Sequence, residues 1–351
     1  MNIILGIETS CDETAASVVV DGYRVLSNVI YSQVDKHANF GGVVPEYAAR
    51  LHFQYINNTV IKAIDDANIS INDVDAIAVT NGPGLIPSLL VGVNFAIGFS
   101  LNRNIPLFGI NHVLAHVYGA MLKHENHNKL LDRKDMFPIL SLVVSGGHTV
   151  LLMIDEFNCV HVIGTTVDDA AGEALDKGAR IMGLSYPGGP IIENMAKRGN
   201  KDAYKFPRAM MHKKHKLNFS FSGLKTALIN YVNKLGGIDN FSIEQLHDTV
   251  ASYQFAIVDV LCKKVLKAIN SFGCKTLIIG GGVAQNIVLR NELNNKLPKD
   301  IALLLTPIEY CGDNGAMIAG LCWYHNYYYT DNKCSNNSNL GVYSTGYPKM
   351  F

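Results

Sequence analysis

Apolar residues along this chain come in short runs bounded by turn residues. Asn2 to Glu8 is an Ile-rich run that ends in the polar stretch Thr9-Ser10-Cys11-Asp12-Glu13-Thr14. Ala15 to Val20 is apolar again, Asp21-Gly22 turns the chain, and it returns through Tyr23 to Ile30. Such runs predict three strands, the last two forming a hairpin. Pro45 opens a helix to about Asp66, at a position where its missing N–H costs nothing. Asp75 to Thr80 predicts a fourth strand, which Asn81-Gly82-Pro83-Gly84 breaks before a helix from Leu85. Pro106 to Ile110 predicts a fifth, which delivers the chain to His112 and a helical segment from Val113 to Met121.

After the polar segment His124 to Lys134 the pattern begins again. Ile139 to Val144 predicts a strand, Ser145-Gly146-Gly147-His148-Thr149 a turn, and Val150 to Ile154 and Val160 to Gly164 two further strands. A supersecondary unit repeated in order predicts two similar lobes, with a cleft between the two turns as the site. The remaining periodicities predict helices over 168–183, 191–198, 222–235, 242–272 and 284–297, and strands over 275–279 and 301–305. A final helix runs from Gly312-Asp313-Asn314-Gly315 to about Tyr328. The expected domains are an N-terminal lobe 1–123, a C-terminal lobe 137–328 with a helical insertion, and a polar tail 329–351.

A length of 351 residues suits two domains. Lys+Arg and Asp+Glu both number 30, which argues against a surface coated in positive charge for nucleic acid but leaves room for a local basic patch. Seven scattered cysteines, with no Cys-x-x-Cys, read as reduced thiols. No basic and apolar leader precedes the first strand. The apolar run Leu85 to Leu101 is punctuated by Pro87, Gly92, Asn94 and Gly98, as in a buried helix rather than a membrane span. The expectation is a cytoplasmic protein without membrane contact.

His112 and His116 stand four apart, so a helix places both imidazoles on one face, one turn apart. Such a pair packs in a core or reaches one metal ion. The Glu of His-Glu-x-x-His is replaced by Val113, so a metal here would not serve a zinc peptidase. Asp313 is either the N-cap of the last helix or a third ligand, giving a His₂-carboxylate site suited to Fe(II) or Zn(II). The turn at Ser145, Gly146 and Gly147 frees backbone N–H groups for an anion, or is an ordinary glycine-rich hairpin. The turn before Thr14 carries Asp12 and Glu13, which are either solvated or placed to act on a metal, a water or an amine proton. Neither Gly-x-Gly-x-x-Gly nor a P-loop occurs. Gly280-Gly281-Gly282 leaves room for a flat ligand such as a purine, with Asn286 at the start of the next helix. Asp176 and Glu193 flank Gly188-Gly189, and each is a ribose acceptor or a surface ion-pair partner. The basic stretch Arg208 to Lys216 is a phosphate-contacting loop or a solvated charge run.

Longer motifs narrow these alternatives. Gly6-Ile7-Glu8-Thr9-Ser10-Cys11-Asp12-Glu13-Thr14, Gly41-Gly42-Val43-Val44-Pro45-Glu46, Gly82-Pro83-Gly84-Leu85 and Asn111-His112 with His116 resemble the TsaD family, formerly called O-sialoglycoprotein endopeptidase. So do Val144-Ser145-Gly146-Gly147-His148-Thr149, Asp168-Asp169-Ala170-Ala171-Gly172-Glu173-Ala174 with Asp176-Lys177, and Tyr186-Pro187-Gly188-Gly189-Pro190. Phe219 to Thr226, Gly281-Gly282-Val283 with Asn286, and Asp313-Asn314-Gly315-Ala316 complete the likeness, which spans about residues 3 to 325. Ala284-Gln285 stands where other members often have Ser-Ala.

The resemblance implies an α/β fold of two ribonuclease-H-like lobes from the actin-like ATPase and sugar-kinase superfamily, with an interlobe cleft. It implies transfer of threonylcarbamoyl from threonylcarbamoyl-AMP to N6 of adenosine 37 in tRNAs reading codons that begin with adenine. Its implied metal ligands are His112, His116 and Asp313, holding Fe(II), with Zn(II) as the alternative. Its implied adenylate contacts are Val143, Val144, Ser145, Gly146, Gly147, Asp176, Gly189, Glu193 and Asn286. Asp12 and Glu13 would handle the amine proton or place the tRNA, and the Arg208 to Lys216 loop would meet tRNA phosphate. The bacterial branch implies a non-catalytic paralogous subunit as heterodimer partner and a small P-loop ATPase. Rivals are an ATP-dependent kinase or ATPase on the same fold, a non-catalytic nucleotide-binding scaffold, and, weakest, a metalloprotease.

Overall fold

Ten strands in the computed structural model, which describes residues 1–123, 134–156, 159–212 and 216–328, sort into two five-stranded sheets. The first contains β1 (Ile3–Glu8), β2 (Glu13–Val20), β3 (Arg24–Ser32), β4 (Ala76–Gly82) and β5 (Leu107–Asn111), in the order β3-β2-β1-β4-β5. The second contains β6 (Ile139–Val144), β7 (Thr149–Glu156), β8 (Cys159–Thr165), β9 (Thr276–Gly280) and β10 (Ala302–Leu305), in the order β10-β9-β6-β7-β8. In each, the first three strands form an antiparallel meander, and the remaining two add in parallel beside the first. The repeat expected from the sequence is thus a repeat of complete sheet topology. Parallel pairs need crossovers, and helices supply them.

The helices are α1 (Val34–Ala38), α2 (Pro45–Asp66), α3 (Ile86–Arg103), α4 (His112–Tyr118), α5 (Ala171–Ile181), α6 (Gly188–Ala196), α7 (Ser222–Lys234), α8 (Ile243–Phe272), α9 (Ile287–Lys296) and α10 (Gly315–Trp323). In α2 the buried positions Ala48, Leu51, His52, Ile56, Thr59, Val60 and Ala63 recur at helical spacing, and its Pro sits at the first turn. Ile56, Val60 and Ala63 join Leu5, Ile7, Val18, Val79 and Val93 in the core of the first sheet. Ser242 and Gln245 form a capping box at the start of α8, and Gly273 ends it in a left-handed conformation.

The described residues divide into two compact units. One holds residues 1–123 and 306–328; the other lies between 134 and 305. This corrects the expected C-terminal lobe of 137–328: residues 306–328 join the first unit. The cause is α10, whose nine residues are all buried. A helix apolar on every side needs cover on every side. Its first turn rests on β1, where a Cβ on Gly6 would lie 2.1 Å from the Gly315 carbonyl oxygen and one on Gly315 would lie 2.5 Å from that of Gly6. Only paired glycines allow that approach. The polar boundary at 124–133 and the tail 329–351 lie outside the described residues.

Candidate metal centre and nucleotide-contacting residues

In the first unit β5 runs directly into α4, and the Asn111 side chain caps the helix by accepting the Leu114 N–H at 3.0 Å. The cap fixes where the helix begins, and so which face His112 and His116 share. Their ring centroids are 4.7 Å apart with planes at 79°, and the residues are 3% and 0% exposed.

Asp313 does not cap α10. Asn314 does, through Oδ1 accepting the Met317 N–H at 3.0 Å. The Asp313 carboxylate faces the histidines instead, its Oδ1 lying 3.2 Å from His116 Nε2 and 3.6 Å from His112 Nε2. Donor atoms each about 2.1 Å from one metal ion stand about 3.0 to 3.4 Å from one another. Both His116 nitrogens are buried without a hydrogen-bond partner; the 3.2 Å approach to Asp313 is not aligned as one. A buried imidazole left so costs roughly 1–3 kcal/mol, and a bound cation would remove that cost. Two imidazole nitrogens and a carboxylate fit either Fe(II) or Zn(II), with coordination positions left open.

Glu8, at the end of β1, belongs to this site and went unnoticed among the candidates. Its Oε2 lies 3.0 Å from His112 Nδ1 and accepts the Thr80 hydroxyl at 2.6 Å, while Oε1 accepts the Ser10 N–H. Ser10 Oγ is 3.2 Å from the same Nδ1. With Nδ1 donating to Glu8, a neutral His112 presents its Nε2 lone pair toward Asp313. Burial works against charging His112, but the Asp313 and Glu8 carboxylates outweigh it and raise the ring to about 9. Burial holds His116 below the usual imidazole range against the pull of Asp313. The available signal was a carboxylate ending a wholly apolar strand, since a buried charge requires a partner.

Asp12 and Glu13 lie where β1 turns into β2. Burial, reinforced by Asp12 and Asp313, raises the Glu13 carboxyl well above the usual carboxylate range. The turn is held by His52 of α2, a second residue outside the candidate set. His52 Nε2 donates to the Cys11 carbonyl at 2.9 Å, which leaves Nδ1 to accept the Thr14 hydroxyl at 2.8 Å. Burial keeps His52 neutral, as that pairing requires.

The second unit holds the other candidates. Val143 and Val144 end β6, fully buried, and Ser145 begins the turn with its Oγ accepting the His148 N–H at 3.1 Å. Gly146 and Gly147 are exposed, and nothing lies within 4 Å of where their Cβ atoms would be. The start of α5 closes on this turn, with Gly172 N–H donating to the Ser145 carbonyl at 3.2 Å. Asp176 caps α6 by accepting the Gly188 N–H at 2.7 Å, beside Gly189. Glu193 accepts the Ile287 N–H at 2.8 Å, and Asn286 caps α9 through Leu289 N–H at 3.0 Å. Val143 to Gly147 adjoin α5, Asp176 ties α5 to α6, and Glu193 ties α6 to Asn286 and α9. Asp176, Glu193 and Asn286 therefore each satisfy a helix N-terminus, as well as being candidates for ligand contact.

Asp168 precedes α5 but serves α7, accepting Phe221 N–H, Ser222 N–H and both the Ser220 and Ser222 hydroxyls. In the basic stretch, Arg208 pairs with Asp259 at 3.1 Å, and the Lys216 carbonyl accepts from Lys264 and Lys267. Lys213, Lys214 and His215 lie outside the described residues. Among those described, no helix is long and apolar enough to cross a membrane.

Solved structures share the fold across nearly the whole chain. The component A of (R)-2-hydroxyglutaryl-CoA dehydratase from Acidaminococcus fermentans matches 93% of this chain and 99% of its own, with a TM-score of 0.53 at 14% identity. Full-length HypF in its phosphate- and nucleotide-bound form matches 94% of this chain over 47% of its own, with a TM-score of 0.58 at 12% identity. At 12–14% identity these likenesses show a shared α/β fold, here of two five-stranded sheets. In sequence, the tRNA N6-adenosine threonylcarbamoyltransferase of Thermosipho africanus is 48% identical over 318 residues, covering 90% of this chain and 92% of that protein. The Clostridium perfringens protein of the same name is 46% identical over 323 residues, 92% of each. The family model of TsaD, tRNA N6-adenosine threonylcarbamoyltransferase, matches residues 24–320, and the chain belongs to that family.

Proposed function

We propose that this chain transfers a threonylcarbamoyl group to N6 of an adenosine in tRNA, adenosine 37 of tRNAs reading codons that begin with adenine. The donor is threonylcarbamoyl-AMP. The exocyclic amine is a weak nucleophile because its lone pair is delocalised into the purine ring. A mixed carbamic–phosphoric anhydride supplies the missing activation. The N6–carbonyl bond forms, the carbonyl–phosphate oxygen bond breaks, AMP leaves, and N6 gives up a proton.

The observation that carries the reading is the group in which the buried His112 and His116 both turn Nε2 onto one oxygen of the partly buried Asp313. These three would hold one divalent ion, Fe(II) with Zn(II) as the alternative. Such an ion supplies Lewis acidity toward the oxygens of the threonylcarbamoyl group. Glu8 and Ser10 orient the His112 ring from behind. Glu13, whose carboxyl burial and the neighbouring Asp12 raise well above the usual carboxylate range, would take the N6 proton, with Asp12 beside it. In the second unit, the exposed backbone N–H groups of Gly146 and Gly147 would receive the phosphate as its charge develops, on a turn held by the Ser145 N–H donating to the His148 carbonyl at 2.8 Å. Val143, Val144, Asp176, Gly189, Glu193 and Asn286 would contact the adenylate.

A non-catalytic paralogous subunit and a small P-loop ATPase would complete the cycle in the cytoplasm. The testing assay combines the chain with those partners, radiolabelled threonine, bicarbonate, ATP and tRNA. Label should enter tRNA as modified adenosine with the unmodified chain, and not with His112→Ala/His116→Ala. ATP consumption by the chain alone, with no label transferred and no effect of the histidine variant, supports the kinase or ATPase reading instead.

A further inference from the structure

A second group of metal-ligating side chains lies on the β7–β8 hairpin. Cys159 opens β8 and His161 follows two residues later, so the pleat places both on one face of the strand. The opposing register is interrupted: Ile154 pairs with Val160, but Glu156 pairs with Cys159. Asp155 is the extra residue of a bulge, a device that re-aims a side chain. Its Oδ2 stands 3.2 Å from His161 Nε2, and Cys159 Sγ stands 3.4 Å from the same nitrogen.

The convergence on one nitrogen is the informative feature. A thiol–imidazole–carboxylate relay needs the thiol on one ring nitrogen and the carboxylate on the other. Here both approach Nε2, and the single hydrogen that Nε2 can carry does not point at two partners at once. One cation satisfies all three. With metal distances of about 2.0–2.1 Å to nitrogen and oxygen and about 2.3 Å to sulfur, a tetrahedron sets N···O at about 3.3 Å and N···S at about 3.6 Å. The observed separations are 3.2 Å and 3.4 Å.

We propose that Asp155, Cys159 and His161 form a surface site for a borderline divalent transition-metal ion, with Zn(II) as its type. Thiolate and imidazole select such an ion over Mg(II) and Ca(II). The Asp155 and His161 side chains are 53% and 56% exposed, so water takes the fourth position. On binding, the Cys159 S–H bond breaks, the sulfur–metal bond forms, and one proton passes to solvent. The ion would clip β8, the edge strand of its sheet, to β7.

Co(II) titrated into the full chain under a phosphine reductant tests this. A thiolate-to-cobalt charge-transfer band should appear in the unmodified protein and in His112→Ala/His116→Ala, saturate at one equivalent in that double variant, and vanish on adding Zn(II). Cys159→Ser should lose the band and one equivalent of bound metal. His161→Ala should weaken the binding about tenfold or more. These side chains are exposed, so neither variant threatens folding. No thiolate band in the unmodified protein, or an undiminished band in Cys159→Ser, would overturn the proposal.

Discussion

Oε2 of Glu8 stands 3.0 Å from Nδ1 of His112, and neither side chain is more than 3% exposed. The pair joins β1, the first strand, to the metal-facing helix α4. The carboxylate orients the imidazole and makes its far nitrogen a better donor, the role of outer-shell partners in metal sites. Glu8→Gln keeps an acceptor for Nδ1 but removes the charge. Metal affinity at the His112–His116–Asp313 site should fall about 10- to 100-fold, read by calorimetric titration of Zn(II). An unchanged affinity would reduce Glu8 to a packing residue.

The two histidines should differ in what they do for the metal-free protein. His112→Leu takes from the buried Glu8 carboxylate its imidazole partner and leaves it the Thr80 hydroxyl and the Ser10 N–H, which costs about 3–5 kcal/mol. His116→Leu removes two buried nitrogens that have no hydrogen-bond partner, at similar volume, and should change stability by less than about 1.5 kcal/mol. Urea unfolding in the presence of a chelator measures both. Both variants lose metal binding, so the contrast in stability isolates the Glu8 contact.

Much of this arrangement was legible in the sequence, and the illegible part has identifiable causes. The apolar runs locate all ten strands to within a few residues, because strands buried in a sheet leave short unbroken runs. The helical spacing of His112 and His116 places both on one face. The role of Asp313 stayed open because Asp and Asn are equally good caps and stand side by side; only the chain's path assigns the cap to Asn314. Helix α1, five residues long, was missed because so short an element carries no period. The expected helix over 284–297 divides into a short 3-10 turn and α9, since the Asn286 side chain caps a new start. The lobe boundary near residue 306 escaped because a fully apolar helix does not record which sheet covers it.

The neighbours Asp313 and Asn314 should separate in their effects. Asn314→Ala removes the cap of α10 and should destabilise the protein by about 1 kcal/mol. It should leave metal binding detectable. Asp313→Asn should do the reverse, nearly abolishing metal binding while the cap persists. Parallel thermal unfolding and metal titration of the two variants read the difference.

Asp168 gives an acid-side prediction. Burial of its carboxyl raises its proton affinity, but four hydrogen bonds from Ser220, Phe221 and Ser222 outweigh this and hold it below its ordinary 3.8. A carboxylate depressed by folding contributes stability in full above its unfolded value. The contribution shrinks as pH falls below about 4 and is gone below the folded value. Asp168→Asn should therefore unfold more readily than the unmodified chain at pH 7, and the gap should narrow as pH approaches 3. A gap that does not change with pH would place the loss in packing rather than in the charge.

Gly281 and Gly282 stand side by side after β9, yet the structure assigns them different work. Gly281 has φ +91°, and a Cβ there would lie 2.2 Å from the Val144 carbonyl oxygen. Gly281→Ala therefore forces both a left-handed backbone on a non-glycine residue and a clash with the end of β6. It should cost about 1–3 kcal/mol in stability and displace the neighbouring Ser145 turn. Nothing lies within 4 Å of a Cβ on Gly282, so Gly282→Ala should fold as well as the unmodified chain. Its methyl would instead occupy the open space beside this half-buried backbone, where a purine ring would lie. AMP affinity should then fall about tenfold, equivalent to roughly 1.4 kcal/mol, with the unfolding midpoint unchanged. Fluorescence competition with a labelled adenosine nucleotide, paired with urea unfolding, reads the two effects separately. If Gly282→Ala binds AMP as tightly as the unmodified chain, the purine does not rest on this loop, and the three glycines serve only the approach of β9 to β6.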